Sequence, residues 1–165
     1  MSSDADLVRA ARAGDRDAFE ALHVRYRDWV VTLARRFGGG REDAQDVLQE
    51  TFAYFFRKLP EFELRGSLKT FLYPVVKHLA LARAEKSRRE RPESSLPEVA
   101  TPSPGGRLEE LLEGLSEVQQ EVVLLRFADG LDLLEIAEAV GAPVGTVKSR
   151  LHSALEVLRK NFPDG

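Results

Sequence analysis

Residues 115–160, LSEVQQEVVLLRFADGLDLLEIAEAVGAPVGTVKSRLHSALEVLRK, decide the fold. Ser116 with Gln119 three places on is a capping box, predicting a helix that runs through Phe127 and closes at Asp129-Gly130. Asp132 with Glu135 opens a second helix, with Leu134, Ile136, Ala137 and Val140 expected inward. Gly141-Ala142-Pro143 makes a tight turn. A third helix follows, with Val147, Leu151, Leu155 and Leu158 on one face and Thr146, Lys148, Ser149, Arg150 and His152 left outside. Two helices joined by a Gly-containing turn, the second with a polar and basic outer face, describe a helix-turn-helix. Lys148 suits guanine acceptors or a phosphate, and Ser149 can read a base edge in either sense. Thr146 and Arg150 sit where a helix in the major groove meets the backbone. The rival reading is a plain helical hairpin, although no acidic residue falls between Glu138 and Glu156.

Upstream of this block lies a different composition. The stretch 92–106, PESSLPEVATPSPGG, has too few large apolar residues to bury itself and reads as a linker, dividing the chain into domains 1–91 and 107–165. About 15 residues span at most roughly 50 Å at full extension. The amino-terminal block is also helical in pattern. Apolar residues recur at three- and four-residue steps from Ala18 to Leu33, and again from Val47 to Leu59 with Phe52 and Phe56 as core. A further helix is expected from Ser67–Thr70 to about Arg89. No segment alternates as a half-buried strand does. The expected fold is all-α, in two small helical domains.

The 165 residues are 43% hydrophobic and 31% charged, which is enough to build a core and excludes wholesale disorder. The absence of cysteine rules out disulfides, thiol catalysis and thiolate zinc sites. His23, His78 and His152 fall in three separate segments, and no phosphate loop or nucleophile motif accompanies them, so no enzyme, metal site or cofactor is expected. The amino terminus lacks the basic and apolar regions of a signal peptide, and no apolar run approaches the roughly 20 residues of a membrane span; a cytoplasmic protein without membrane insertion is expected.

The net charge of −3 divides unevenly. Residues 1–91 carry 18 basic and 14 acidic side chains, a net +4; residues 92–165 carry 6 and 13, a net −7. Within the first block, Arg65, Lys69, Lys77, Arg83, Lys86, Arg88, Arg89 and Arg91 face only Glu85 and Glu90. Charge alone reads this segment either as a polyanion-binding surface or as a solvated basic helix end.

Taken together, the motifs point to one family. Residues 115–160 resemble region 4 of bacterial sigma factors, DAQDVLQETFAYFFRKLPEF (43–62) resembles their region 2.2, and TFLYPVVKHLALARAEKSRR (70–89) resembles regions 2.3 and 2.4. Two such domains with a short linker resemble an extracytoplasmic-function, or group IV, sigma factor. The resemblance implies a subunit that binds core RNA polymerase through its β′ clamp and β subunit, recognises the −35 and −10 promoter elements, and is held by an anti-sigma factor. Residues 1–91 would then bind the core enzyme and read and melt the −10 element, and residues 107–165 would read the −35 element. Asp43, Asp46, Gln49 and Glu50 fall on the part of region 2.2 that docks on the β′ clamp, although carboxylates there also suit a helix start. Gln45 stands where many members carry Glu.

Arg65, Lys69, Lys77, His78, Arg83, Arg88 and Arg89 would contact −10 DNA, with the loop Glu63–Ser67 as the pocket for an extruded base. Here the sequence departs from the family pattern: Phe71 replaces Trp, His78 replaces Asn, and Ala82 replaces a second polar residue. Phe71 is either a core aromatic or a stacking platform. Pro74 requires the helix to begin near Thr70 or to bend. Thr146, Lys148, Ser149, Arg150 and His152 would contact −35 DNA. Two readings outside this family stay open, a DNA-binding regulator acting without polymerase and a decoy that sequesters an anti-sigma factor.

Overall fold

A computed structural model describes residues 2–90 and 106–162, with side chains from 109 onward in the second stretch. The chain divides into two compact units, Met1–Pro92 and Glu93–Gly165. Every regular element among the described residues is helical. Arg91 and most of the segment expected to be a linker lie outside those residues, but Gly106, assigned to the linker, is already helical.

The first unit contains α1 (Asp4–Arg12), α2 (Arg16–Arg36), α3 (Arg41–Lys58), a 3-10 turn (Leu59–Glu61) and α4 (Leu68–Glu90). α2 packs against α1, α3 and α4, and α3 also packs against α4. The spacing of apolar residues explains this arrangement. Leu22, Tyr26, Val30 and Leu33 lie along one stripe of α2, Val47, Leu48, Phe52 and Phe55 along α3, and Leu68, Leu72, Val76 and Ala80 along α4; all are buried. Each large apolar side chain taken from water contributes about 1.5–3 kcal/mol, so these stripes dominate the stability of the unit. Gly40 caps α3 without a side-chain bond, and Glu42 and Asp43 in its first turn supply the negative charge that a helix start favours.

One sequence expectation changes here, and the place of Pro74 is fixed. Phe56 is 61% exposed and is not core; it makes an edge contact with Phe19 at 5.3 Å between ring centroids. The stripe on α3 passes through Phe52 and Phe55, and Phe56 lies about 100° further round the axis. α4 begins at Leu68, so Pro74 is its seventh residue and the helix continues through it. The missing N–H at Pro74 leaves the Thr70 carbonyl without its helical donor. Phe71 joins the core side of the unit: it is half-buried, stacked on Tyr54 at 6.2 Å and in contact with Phe62 at 4.6 Å.

The second unit contains α5 (Gly106–Leu112), α6 (Glu117–Val123) continued by a π-helical turn over Leu124–Ala128, α7 (Leu133–Val140) and α8 (Val144–Asn161). Both capping boxes expected from the sequence are present: Ser116 and Gln119 bond each other's backbone N–H, as do Asp132 and Glu135. Gly141 ends α7 with φ of +69°, a left-handed conformation that glycine adopts without a Cβ penalty. Leu112, Leu115, Val123, Leu124 and Ala154 form a buried cluster, against which Leu151, Val157 and Leu158 pack. Leu134, expected inward, is 70% exposed. The buried positions of α7 are Ile136 and Ala139, a three-residue step that turns residue 134 outward.

Candidate nucleic-acid interface

The outer face of α8 is built by what its inner face buries. Val147 and Ala154, seven residues apart, are fully buried. At about 100° per residue, Ser149 and His152 point away from that line and Lys148 stands beside them. Lys148, Ser149 and His152 are exposed, while Thr146 and Arg150 are half-buried on the flank. The helix therefore presents one strongly exposed polar strip with two half-buried residues beside it. His152 Nε2 lies 3.2 Å from Glu156 one turn later, so a carboxylate bounds the strip at its carboxy-terminal end. Pro143 caps α8 with no side-chain bond, which keeps the first turn uncluttered.

In the first unit, α4 and the segment before it carry the basic residues expected at DNA, and they divide into three groups. Lys69 and Lys77 are half-buried, with their ammonium groups 5.5 Å from the Trp29 ring centroid and 5.9 Å from that of Phe37. Such contacts fix the stems along the helix. His78, Arg88 and Arg89 are exposed, and Arg89 pairs with Glu85 one turn earlier. Arg65, in the segment before α4, is exposed and lies 4.0 Å from Glu63. Ser67 starts the helix, its Oγ accepting from the Lys69 N–H at 3.2 Å. The segment Glu63–Ser67 is irregular, with Gly66 at φ +73°.

Arg83, also expected at −10 DNA, has its partners within the unit. It turns toward α3, donating from one terminal nitrogen to Asp46 at 3.1 Å and from the other to Glu50. The hydrogen bond it donates to Glu50 is the main reason its guanidinium is pushed above an already high pKa, with Asp46 and Asp43 adding to the effect. Ser87, one turn on, donates from Oγ to Asp43 at 3.0 Å. Two groups that the sequence assigned to separate partners, the acidic start of α3 and the basic helix α4, thus meet across one interhelical seam. Asp46, Gln49 and Glu50 are exposed and Asp43 is half-buried.

Sequence reasoning missed Ser87 and the partnership of Arg83. The signal was present: acidic residues at 43, 46 and 50 complement 87 and 83 on an antiparallel neighbour, at helical spacing on both sides. Among the described residues, no group of three or more His, Cys, Asp or Glu side chains is placed to hold a metal ion, and no helix is long and apolar enough to cross a membrane.

Comparison with known proteins agrees with both units. The family profile described as Sigma-70 region 2 matches residues 22–90, and that described as Sigma-70, region 4 matches residues 105–158. The ECF RNA polymerase sigma factor SigW of Bacillus subtilis is 28% identical over 178 aligned positions, covering 95% of each chain. The ECF RNA polymerase sigma-E factor of Escherichia coli K12 is 30% identical over 177 positions, covering 94% of this chain and 92% of that one. Among solved structures, CnrH in complex with the cytosolic domain of CnrY is similar with a TM-score of 0.68 and 25% identity, over 99% of this chain and 100% of that one. RpoE from Bartonella quintana, solved with the anti-sigma factor NepR, shares the fold at a TM-score of 0.63 and 22% identity, over 86% of this chain and 94% of that one. With a region 2 module ahead of a region 4 module and relatives aligned over more than nine-tenths of both chains, the chain belongs to the extracytoplasmic-function (ECF) family of RNA polymerase sigma factors.

Proposed function

We propose that this sigma factor directs promoter-specific initiation through three contacts distributed over its two units. Asp43, Asp46, Gln49 and Glu50 on α3 dock on the β′ clamp of core polymerase, offering carboxylates to basic side chains there. Lys69, Lys77, His78, Arg88 and Arg89 on α4, with Arg65 ahead of it, follow the phosphates of the −10 element, and the Glu63–Ser67 segment receives an extruded base. Lys148, Ser149 and His152 on α8 read the −35 element in the major groove, with Thr146 and Arg150 on flanking phosphates. The chain also meets the β subunit. Residues 1–91 and 107–165 are the two working domains, and the chain acts in the cytoplasm without catalysis of its own. CnrH was solved in complex with the cytosolic domain of CnrY, and a protein partner is proposed for this chain as well, an anti-sigma factor.

The observation that carries this reading is the exposed strip Lys148, Ser149 and His152, set against the buried Val147 and Ala154. A base-reading contact and a phosphate contact fail differently. Losing a good base contact costs about 1–3 kcal/mol at the bases it reads, whereas losing a phosphate contact weakens every sequence alike. In transcription assays on a randomised −35 element with core polymerase, Lys148→Ala should relax preference at one or two positions, and Arg150→Ala should lower all promoters together. Position-independent losses from both substitutions would show that α8 presents another face to DNA.

A further inference from the structure

Arg83 joins two carboxylates that stand one turn apart on α3. Its two terminal nitrogens each take a different partner, Asp46 Oδ2 and Glu50 Oε1, so a single guanidinium spans the pair. The Nε of Arg83 is buried and has no hydrogen-bond partner, which leaves the group held by that fork alone. Like charges four residues apart on a helix repel and would otherwise splay. Only one oxygen of each carboxylate is used, and the side chains of Asp46 and Glu50 remain 50% and 45% exposed. Since an ionised carboxylate accepts about four hydrogen bonds, both keep capacity for an incoming cation. Ser87 extends the same seam by one turn through Asp43.

We infer that Arg83 is a positioning residue of the polymerase-docking face, which holds Asp46 and Glu50 from behind in one orientation while their outer oxygens stay open to the partner. This rests on the assignment of Asp46 and Glu50 to docking. The alternative role, a phosphate contact in −10 DNA, requires the guanidinium to abandon both carboxylates and leave them facing each other. Side chains already ordered lose less freedom when a partner binds them, so the fork favours association without touching polymerase. Lysine keeps the charge but has one compact ammonium and cannot bridge two carboxylates as a planar fork does.

The test measures equilibrium association of the full chain with core RNA polymerase, and separately the salt dependence of promoter binding by the assembled holoenzyme. Arg83→Ala should weaken core association about fivefold, with Arg83→Lys between it and the parent. In an Asp46→Asn, Glu50→Gln background, Arg83→Ala should have no further effect on core association, because the groups it positions are gone. An equal loss in that background would assign the effect to general destabilisation and overturn the inference. Unchanged core association with a promoter salt slope reduced by about one would make Arg83 a phosphate contact instead. Tighter core association would make it a mask over the docking face. Normal association of the Asp46→Asn, Glu50→Gln chain itself would remove the docking assignment, and the inference with it; that variant is measured alone so that the two failures are told apart.

Discussion

Arg12, at the end of α1, donates from Nε to the carbonyl oxygen of Pro60 at 3.2 Å, across 48 residues of sequence. A second donor, Nη1, reaches the Phe62 carbonyl at 3.4 Å. The Phe62 ring packs against Phe55 of α3 and Phe71 of α4, so α1 grips from outside the same segment that fills the aromatic group between the two helices. Both bonds are exposed, and hydrogen bonds that compete with water contribute about 0.5–1.5 kcal/mol each at most. Arg12→Ala should therefore lower the unfolding free energy of the full chain by roughly 1 kcal/mol, read from the urea midpoint by circular dichroism. An unmoved midpoint would mean that water replaces the guanidinium at no cost.

The phenol of Tyr26 is buried and hydrogen-bonded to Asp4, which is itself held by Arg25 at 2.6 Å. Burial first, and then the bond and charge of Asp4, push the Tyr26 pKa above its ordinary value of 10.0. For a group whose folded pKa is raised, the stabilisation is fully present below the unfolded pKa and is lost as pH rises through the folded one. The stability advantage of the parent over Tyr26→Phe should hence be constant up to about pH 10 and shrink above it. Denaturant unfolding of both chains between pH 7 and 11, as a working range of about four units, measures this. An advantage that grows with alkalinity would contradict the assigned cause.

Ile136 and Leu134 sit two residues apart on α7 with opposite exposures. Ile136→Ala should cost about 2–5 kcal/mol through lost burial and the cavity left behind. Leu134→Ser should fall within about 0.5 kcal/mol of the parent. Thermal unfolding of the two variants distinguishes them, and comparable losses would place Leu134 in the core after all.

Local chemistry made much of this molecule readable before its coordinates. Ser116 with Gln119 and Asp132 with Glu135 announced their helices because a capping box is satisfied within four residues. Gly141 announced the turn of the helix-turn-helix for the same reason, and the outer strip of α8 followed from the spacing of Val147 and its apolar neighbours. The readings that failed were those in which one apolar residue had to be placed among several. Phe55 and Phe56 are chemically identical neighbours, and only the packing of α2 and α4 against α3 decides which is buried. Leu134 was assigned inward by hydrophobicity, although Ile136 and Ala139 set the axis of the buried stripe. The pairing of Arg83 with α3 went unread because a run of positive charge does not record which member turns toward another helix. The grip of Arg12 on Pro60 had no local signature at all.

The exposed strip of α8 has a bearing on how a chain of this kind diversifies. Val147 and Ala154 are the fully buried positions of α8, so replacements at the exposed Lys148, Ser149 and His152 disturb neither. Surface replacements of that sort typically change stability by less than about 0.5 kcal/mol. With the strip reading promoter DNA as proposed, duplicated copies could drift at those positions without passing through an unfolded ancestor, and each would remain a competent subunit while its address changed. In a genome holding several such factors, new regulons could then arise by small steps on one helix face, with the scaffold beneath it left alone.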